Sequence, residues 1–162
     1  GGQWQQALAL FHDMTKAEVQ ADDISFNASI SACEKGGQWQ QALSLFLEMQ
    51  QAELKPGEVS YNCLLDAVQG KPFAIDLFQK ALQDRIYQKL AAARWNRIDL
   101  HDLSEAAAQL AVWWWLHELV LPELSNRLRS GAPCRCEVVT GYGKSRKDWG
   151  TSDIRAAVMR LL

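Results

Sequence analysis

Apolar residues recur every three or four positions between residues 38 and 50, and this spacing predicts an amphipathic helix. The apolar stripe consists of Ala42, Leu45, Phe46 and Met49. Another helix is predicted just before it, from about Ser25 to Glu34. Gly36 and Gly37 stand between the two helices, as expected for a tight helix–helix turn. The pattern therefore predicts a helical hairpin.

The hairpin belongs to a repeat with a spacing of 35 residues, since eleven of the fourteen residues in 1–14 return in 36–49. A period of this length is typical of stacked helical repeats. The predicted units are 1–22, which is partial, 23–57, which is complete, and 58–92, which is degenerate. Together they predict an α-solenoid over residues 1–94.

The rest of the chain follows a different pattern. Polar and apolar residues alternate over 97–101, which predicts a short strand with Ile98 and Leu100 facing a core. A long helix is predicted from Glu105 to about Val120, and another strand at 136–140. In the long helix, Trp114 is predicted to be the tryptophan of Trp113-Trp114-Trp115 that enters the core, because it aligns with Ala107, Leu110 and Ala111.

A last helix is predicted from about 152 to 162. The resulting order β-α-β-α predicts that the two strands are neighbours in a small α/β layer. The predicted fold class is therefore α plus α/β, with an α-solenoid of helical hairpins followed by a small β-α-β-α domain at 95–162.

Composition and charge narrow the range of possible functions. Apolar residues make up 48% of the chain and charged residues 22%, as is usual for globular proteins, and no apolar run predicts a membrane span. Residues 1–84 hold 5 basic and 11 acidic residues, whereas 85–162 hold 12 and 8. The second half is thus the better phosphate binder. Cys134 and Cys136 lack partners at zinc-ligand spacing, so no metal site is predicted.

The predicted strand at 136–140 runs directly into a basic loop with two glycines. The candidate phosphate-binding residues are Thr140, Gly141, Gly143, Lys144 and Arg146. Glycines let the backbone approach a phosphate, and successive N–H groups can form a nest for an anion. The spacing excludes a P-loop, which would need a glycine in place of Val138, and a dinucleotide fingerprint, which would need one in place of Arg146.

Three motifs of the repeat are specific. They are Ile24-Ser25-Phe26-Asn27, Ala42-Leu43-Ser44-Leu45-Phe46-Leu47-Glu48-Met49 and Leu54-Lys55-Pro56. With them, residues 1 to about 85 resemble the pentatricopeptide repeat family, ahead of the tetratricopeptide repeats, which have a period of about 34 residues and a different pattern. The resemblance implies binding of single-stranded RNA, with one base read by each repeat.

The resemblance also implies which residues read the bases. They are the asparagine after the aromatic residue and the last residue of each unit: Asn27 with Gly57, Asn62 with an unassigned partner near Ala92, and Asp22 for the first unit. Asparagine at the first of these positions implies a preference for pyrimidines. Asn27 has an alternative interpretation, because asparagine also favours helix starts without any ligand.

Two further motifs resemble the signatures of the small MutS-related domain. Ile98-Asp99-Leu100-His101 is similar to its Leu-Asp-x-His strand, and Thr140-Gly141-Tyr142-Gly143-Lys144 to its Thr-Gly-x-Gly loop. The resemblance covers about 97–162 and implies a β-α-β-α sandwich that is incomplete at its C-terminal end. It implies a nucleic-acid-binding module, often with endonuclease activity. Its combination with pentatricopeptide repeats is known from chloroplast and mitochondrial RNA-processing proteins.

Asp99 and His101 are the candidate catalytic residues. Their side chains would share one strand face, where the imidazole could act as general acid or base and the carboxylate could orient it or hold a divalent metal such as magnesium. The alternative is that both hydrogen-bond across the sheet and only hold the loop. Three functions therefore remain open: RNA binding with cleavage, a noncatalytic RNA-binding adaptor, and DNA binding or nicking.

Overall fold

The computed structural model describes residues 3–130 and 135–140. The helices are α1 (Gln3–Lys16), α2 (Asp23–Lys35), α3 (Trp39–Gln51), α4 (Glu58–Ala67), α5 (Ala74–Gln83), α6 (Glu105–Trp115) and α7 (Leu121–Ser130), and the strands are β1 (Arg97–Asp99) and β2 (Glu137–Val139). Within the described residues, no helix combines the length and apolar character needed to cross a membrane. The candidate residues Gly141, Gly143, Lys144 and Arg146 and the predicted last helix lie outside this part of the chain.

Helices α1 to α4 stack as helical repeats do. Helix α2 packs against α3, its hairpin partner, and against α4, the first helix of the next unit. The predicted stripe of α3 is buried. Phe11 meets Phe26 with ring centroids 4.8 Å apart, and Phe46 meets Tyr61 at 5.0 Å, one repeat later. Each second helix thus offers an aromatic ring to the first helix of the following unit.

Gly36 and Gly37 make the predicted turn for different reasons. Gly37 has a φ of +68°, and the N–H groups of Gly37 and Gln38 donate to the carbonyls of Glu34 and Cys33, which is the Schellman arrangement. Gly36 instead lies against an aromatic ring, since a Cβ atom there would be 2.4 Å from Cδ1 of Trp4. The absence of a side chain at Gly36 therefore allows α1 to approach the end of α2.

The chain forms two compact units, the first at Gly1–Ala74 and the second at Ile75–Leu162. This division falls inside the predicted third repeat, whose two helices are observed as α4 and α5. Most of α5 groups with the segment that follows it. The domain boundary between residues 94 and 95 remains a prediction.

The second unit contains a two-stranded parallel sheet. Ile98 pairs with Val138, and the N–H of Leu100 extends the ladder by donating to the carbonyl of Val139 at 2.9 Å. Ile98 and Leu100 are fully buried, as the alternation of apolar residues predicts. Both strands are shorter than predicted, because pairing ends at Asp99 and at Val139.

The helix after β1 does not end near Val120, so that prediction is wrong. It widens into a π-helical turn over Leu116–Val120 and continues as α7. Pro122 has no N–H to donate to the carbonyl four residues earlier, and its ring would collide with that carbonyl in a regular helix. A π-helical turn directly before Pro122 relieves this conflict without ending the helix.

The prediction that Trp114 is the core tryptophan of this helix is also wrong. Trp115 is 2% exposed, whereas Trp114 is half-buried. The buried stripe runs through Ala108, Ala111, Val112 and Trp115. The indole N–H of Trp115 donates to the carbonyl of Arg94 at 2.6 Å, so this ring satisfies its polar atom inside the core.

Gly36→Ala is expected to destabilise the first unit. The new methyl group would collide with the Trp4 ring, and overpacking of this kind costs about 1–3 kcal/mol. Thermal or chemical denaturation measures the loss. In a Trp4→Ala background the same substitution should cost clearly less, and an equal cost in both backgrounds would contradict the close contact.

Candidate nucleic-acid-binding sites

Asn27 and Asn62 occupy the same position on two neighbouring helices. Each is the fifth residue of its helix, α2 for Asn27 and α4 for Asn62, and these two helices pack against each other. The 35-residue period therefore brings the two predicted base-reading asparagines to one side of adjacent units.

The Oδ1 atom of Asn27 is buried and has no hydrogen-bond partner among the described residues. A buried carbonyl without a partner costs about 1–3 kcal/mol, so such groups are uncommon in folded proteins. The alternative that Asn27 serves the start of the helix does not hold, since it lies a full turn inside α2. The Oδ1 atom of Asn27 therefore takes no part in the helix start or in another hydrogen bond among the described residues.

The start of α2 is capped by Asp22 instead. Its Oδ1 accepts hydrogen bonds from the Ser25 N–H at 2.8 Å and the Ser25 hydroxyl at 2.6 Å. These bonds, the hydroxyl first, lower the pKa of Asp22 from its ordinary value of 3.8. Gly57 holds the equivalent place before α4, where its N–H donates to the Ser60 hydroxyl. The two predicted second positions of the base code are thus both helix caps.

Two of the exposed apolar side chains of the first unit lie beside the asparagines, and no function was predicted for them. Ile24 is 71% exposed and Val59 59%, and they lie 35 residues apart, three positions before Asn27 and Asn62. Residues three apart on a helix are neighbours on its surface. An aliphatic residue that repeats at the unit spacing outside the buried stripe is the signal that could have identified them.

Acidic side chains accompany these positions. Asp23 and Glu58 are the first residues of α2 and α4, where a carboxylate stabilises the positive end of the helix dipole. Both are exposed. Nucleic-acid phosphates would be repelled here, so this face can contact bases better than backbone.

Asp99 and His101 come together in the second unit. Asp99 Oδ1 lies 2.5 Å from His101 Nδ1 and also accepts the His101 backbone N–H at 2.9 Å. The side chains are 34% and 38% exposed. Asp99 is the last residue of β1, and His101 lies in the turn that follows rather than in the strand. The observed bond joins the two residues to each other instead of crossing the sheet.

The ionisation of Asp99 follows from these contacts. Burial alone would raise the pKa of Asp99. The hydrogen bonds from the backbone and ring of His101 outweigh burial, together with the positive charges of His101 and Lys89, and the pKa of Asp99 lies below its ordinary value of 3.8. An ionised carboxylate only accepts hydrogen bonds, so Nδ1 of His101 carries the hydrogen. The Nε2 atom of a neutral ring is then left as a base.

Other predicted features of this site are only partly visible. Thr140 follows β2 directly and is half-buried. The glycines and cations of the predicted loop lie outside the described residues. Among the residues that the structure describes, no group of three or more His, Cys, Asp or Glu side chains is arranged to hold a metal ion.

The repeated segment is similar to a known family. Residues 21–68 match the PPR repeat family. The matched PPR segment covers α2, α3 and α4 and includes Asn27, Gly57 and Asn62. PPR repeats suggest a protein that binds nucleic acid, and RNA in particular. A search of curated proteins found no match to the chain.

The capping role of Asp22 can be separated from base reading. Asp22→Ala should lower the melting temperature at pH 7, whereas Asp22→Ser should preserve it, because serine caps helices about as well as aspartate. Folding lowers the pKa of Asp22 below its ordinary value of 3.8. The stabilisation by the ionised carboxylate is therefore complete at a pH above 3.8 and is lost as the pH falls through the pKa of the folded state. Melting curves of the parent and Asp22→Ala should therefore converge in acid, and a constant difference would argue against the carboxylate cap.

Proposed function

We propose that the chain binds single-stranded RNA through its PPR repeats and that its second unit binds and cleaves nucleic acid. The observation that carries the first part is that Asn27 and Asn62 occupy the same position on two helices that pack against each other, one repeat apart. Two asparagines one repeat apart suit two successive bases of an unpaired strand.

The chemistry of Asn27 suits a base edge. An amide offers both an acceptor and two donors, and it can match the mixed donor and acceptor pattern of a Watson–Crick edge. Ile24 and Val59 would contact the faces of the bases beside these amides. Gly57 contributes no side chain, so Asn27 reads its base without the second side chain that Asp22 would supply in the unit before it.

The second part of the proposal rests on the bond between Asp99 and His101. With Nδ1 held by the carboxylate, Nε2 can take a proton from the attacking hydroxyl or water as its bond to phosphorus forms. The imidazolium can then give that proton to the leaving oxygen as the scissile P–O bond breaks. Asp99 then stabilises the imidazolium and keeps the ring oriented. The proposed steps use these two side chains.

The resemblance to the small MutS-related domain supports this assignment, and Thr140, Gly141, Gly143, Lys144 and Arg146 would bear the phosphate charge. The rival functions make different predictions. An adaptor would bind RNA without cutting it, and a DNA-nicking protein would cut a strand without 2′-hydroxyl groups. PPR proteins are commonly organellar, so we propose the chloroplast or mitochondrion as the compartment.

Asn27→Ala should weaken binding of a matched single-stranded RNA about fivefold, the equivalent of one net hydrogen bond of about 1 kcal/mol. The loss should be confined to RNA with a pyrimidine at the contacted position, as measured with oligonucleotides that differ in that base. The melting temperature should not fall, because the Oδ1 atom of Asn27 has no partner in the protein.

Asn126→Ala is the matched control for this experiment, since Asn126 is an exposed asparagine of α7 outside the repeats. It should leave RNA affinity unchanged. If Asn27→Ala instead weakened binding equally for all four bases and lowered the melting temperature, Asn27 would be a structural residue.

His101→Ala should lower the cleavage rate by roughly 10²–10⁴, the usual contribution of a general acid or base. RNA affinity should change little, since the repeats and the basic loop still bind. Asp99→Asn should also slow cleavage, because the amide no longer favours the required ring tautomer.

Cleavage by the full chain is measured with labelled single-stranded RNA and DNA, each with magnesium and with a chelator. Cutting of RNA that His101→Ala suppresses supports the endonuclease, and dependence on magnesium would identify the cofactor. If the parent bound RNA but cut neither strand, the adaptor function would replace the endonuclease.

A further inference from the structure

We propose that Lys89, Arg94 and Arg97 form an anion-binding cleft that takes a backbone phosphate of nucleic acid beside the Asp99–His101 pair. The inference rests on the proposed nucleic-acid binding and assigns a second phosphate contact to the same unit. The three basic residues precede or begin β1, outside the Thr140–Arg146 loop that the sequence predicts to bind phosphate.

The two arginines are held side by side. Arg94 and Arg97 exchange both backbone hydrogen bonds, at 2.9 and 3.0 Å, across a two-residue turn. Residues paired in this way project their side chains to the same face, about 5 Å apart at Cβ, and like charges directly opposite destabilise the pair. An anion between the two guanidinium groups removes this repulsion, since both can donate to its oxygen atoms.

The turn that carries the arginines is fixed at three places. The carbonyl of Arg94 accepts the Trp115 indole N–H at 2.6 Å, and the carbonyl of Asn96 accepts the Glu137 N–H at 2.8 Å. Between them, the Trp95 ring lies 3.9 Å from the guanidinium carbon of Arg127. A backbone held in this way presents the arginines in position before a ligand arrives, which lowers the entropy cost of binding.

The side chains open onto a cleft of about 340 Å³ lined by Lys89, Ala92, Ala93, Arg94, Arg97 and Asp99. This volume lies at the lower end of the range of ligand pockets, about 300–1,000 Å³. Ala92 and Ala93 leave the space between the charged residues open. Asp99 links the cleft directly to the candidate catalytic pair.

The acidic neighbours of the cleft are already engaged. Asp99 is bonded to His101, and Asp102 pairs with Lys89. Glu137 approaches Arg97 only at 3.9 Å, with both side chains mostly exposed, so a stronger anion can replace it. Arg94 makes no ion pair with any described residue. A phosphodiester carries a full negative charge and several acceptor oxygens, and it suits paired guanidinium groups better than a distant carboxylate does.

Two measurements test the cleft on the full chain. In the first, inorganic phosphate is added in steps and the indole N–H signal of Trp115 is followed by nitrogen–proton NMR. This signal reports on the turn because the N–H donates a hydrogen bond to the backbone carbonyl of Arg94. The second measures RNA affinity against salt concentration. The test variant is R94Q/R97Q, and the matched control is R85Q/R129Q, which removes the same charge from two exposed arginines outside the cleft.

Phosphate should shift the Trp115 signal in the parent and the control but not in R94Q/R97Q. The slope of log affinity against log salt should fall by about 1 in R94Q/R97Q, the effect of losing roughly one phosphate contact. R94K/R97K should keep the slope, because it keeps the charge. An unshifted Trp115 signal in every protein, or equal slopes in R94Q/R97Q and the control, would overturn the cleft.

The phosphate titration and the salt dependence of RNA affinity together distinguish failure of the cleft from failure of the proposed function. If phosphate shifts the parent signal as described but the chain binds no nucleic acid, the cleft binds anions and the proposed RNA binding is wrong. The opposite case is that the chain binds RNA, but R94Q/R97Q matches the parent both in its Trp115 signal and in its salt slope. The proposed RNA binding is then correct and the proposed cleft is wrong.

Discussion

The contact between α2 and α4 is the constraint on which the first unit depends. A single hairpin cannot bury its apolar stripe, so each unit needs the first helix of the next one. Beside the contact of α2 with α4, the Phe46 ring of α3 packs on the Tyr61 ring of α4, and the Phe11 ring of α1 packs on the Phe26 ring of α2 one period earlier. Because the aromatic pairs recur at 35 residues, Asn27 and Asn62 must recur with them. The periodicity that packs the core therefore also spaces the two asparagines that are proposed to read bases.

The second unit uses local bonds in place of repetition. The carboxylate of Asp99 accepts two hydrogen bonds from His101, and β1 ends at the same residue. The chain then turns through Asp102, whose φ of +70° is one that aspartate tolerates better than most residues. The carboxylate that orients the imidazole is thus also the group that holds the turn at the end of the strand. Loss of the Asp99 carboxylate would affect both the turn and the position of the ring.

The sequence predicts best those features that depend on neighbouring residues. The buried stripe of α3, the Gly36-Gly37 turn and the burial of Ile98 and Leu100 all follow from local spacing. Local spacing does not decide the core tryptophan, because it allows a stripe through Trp114 and another through Ala108, Ala111, Val112 and Trp115. The indole N–H of Trp115 donates to the Arg94 carbonyl, 21 residues away along the chain, and the local pattern does not reveal this partner. The capping role of Asp22 was missed for a different reason, since the family resemblance gave that position another use.

The two halves of the chain differ in charge, and this difference bears on the proposed binding of nucleic acid. The helices of the first unit begin with Asp23 and Glu58, and residues 1–84 hold more acidic than basic side chains. Such a surface gains little from counterion release, so the nucleic-acid contacts proposed for it would be made with the bases. The second unit has the opposite balance and holds Arg94 and Arg97 on a fixed turn. Neutral amides that discriminate and cations that attract are both needed for tight, selective binding, and the proposed function assigns them to separate parts of the chain.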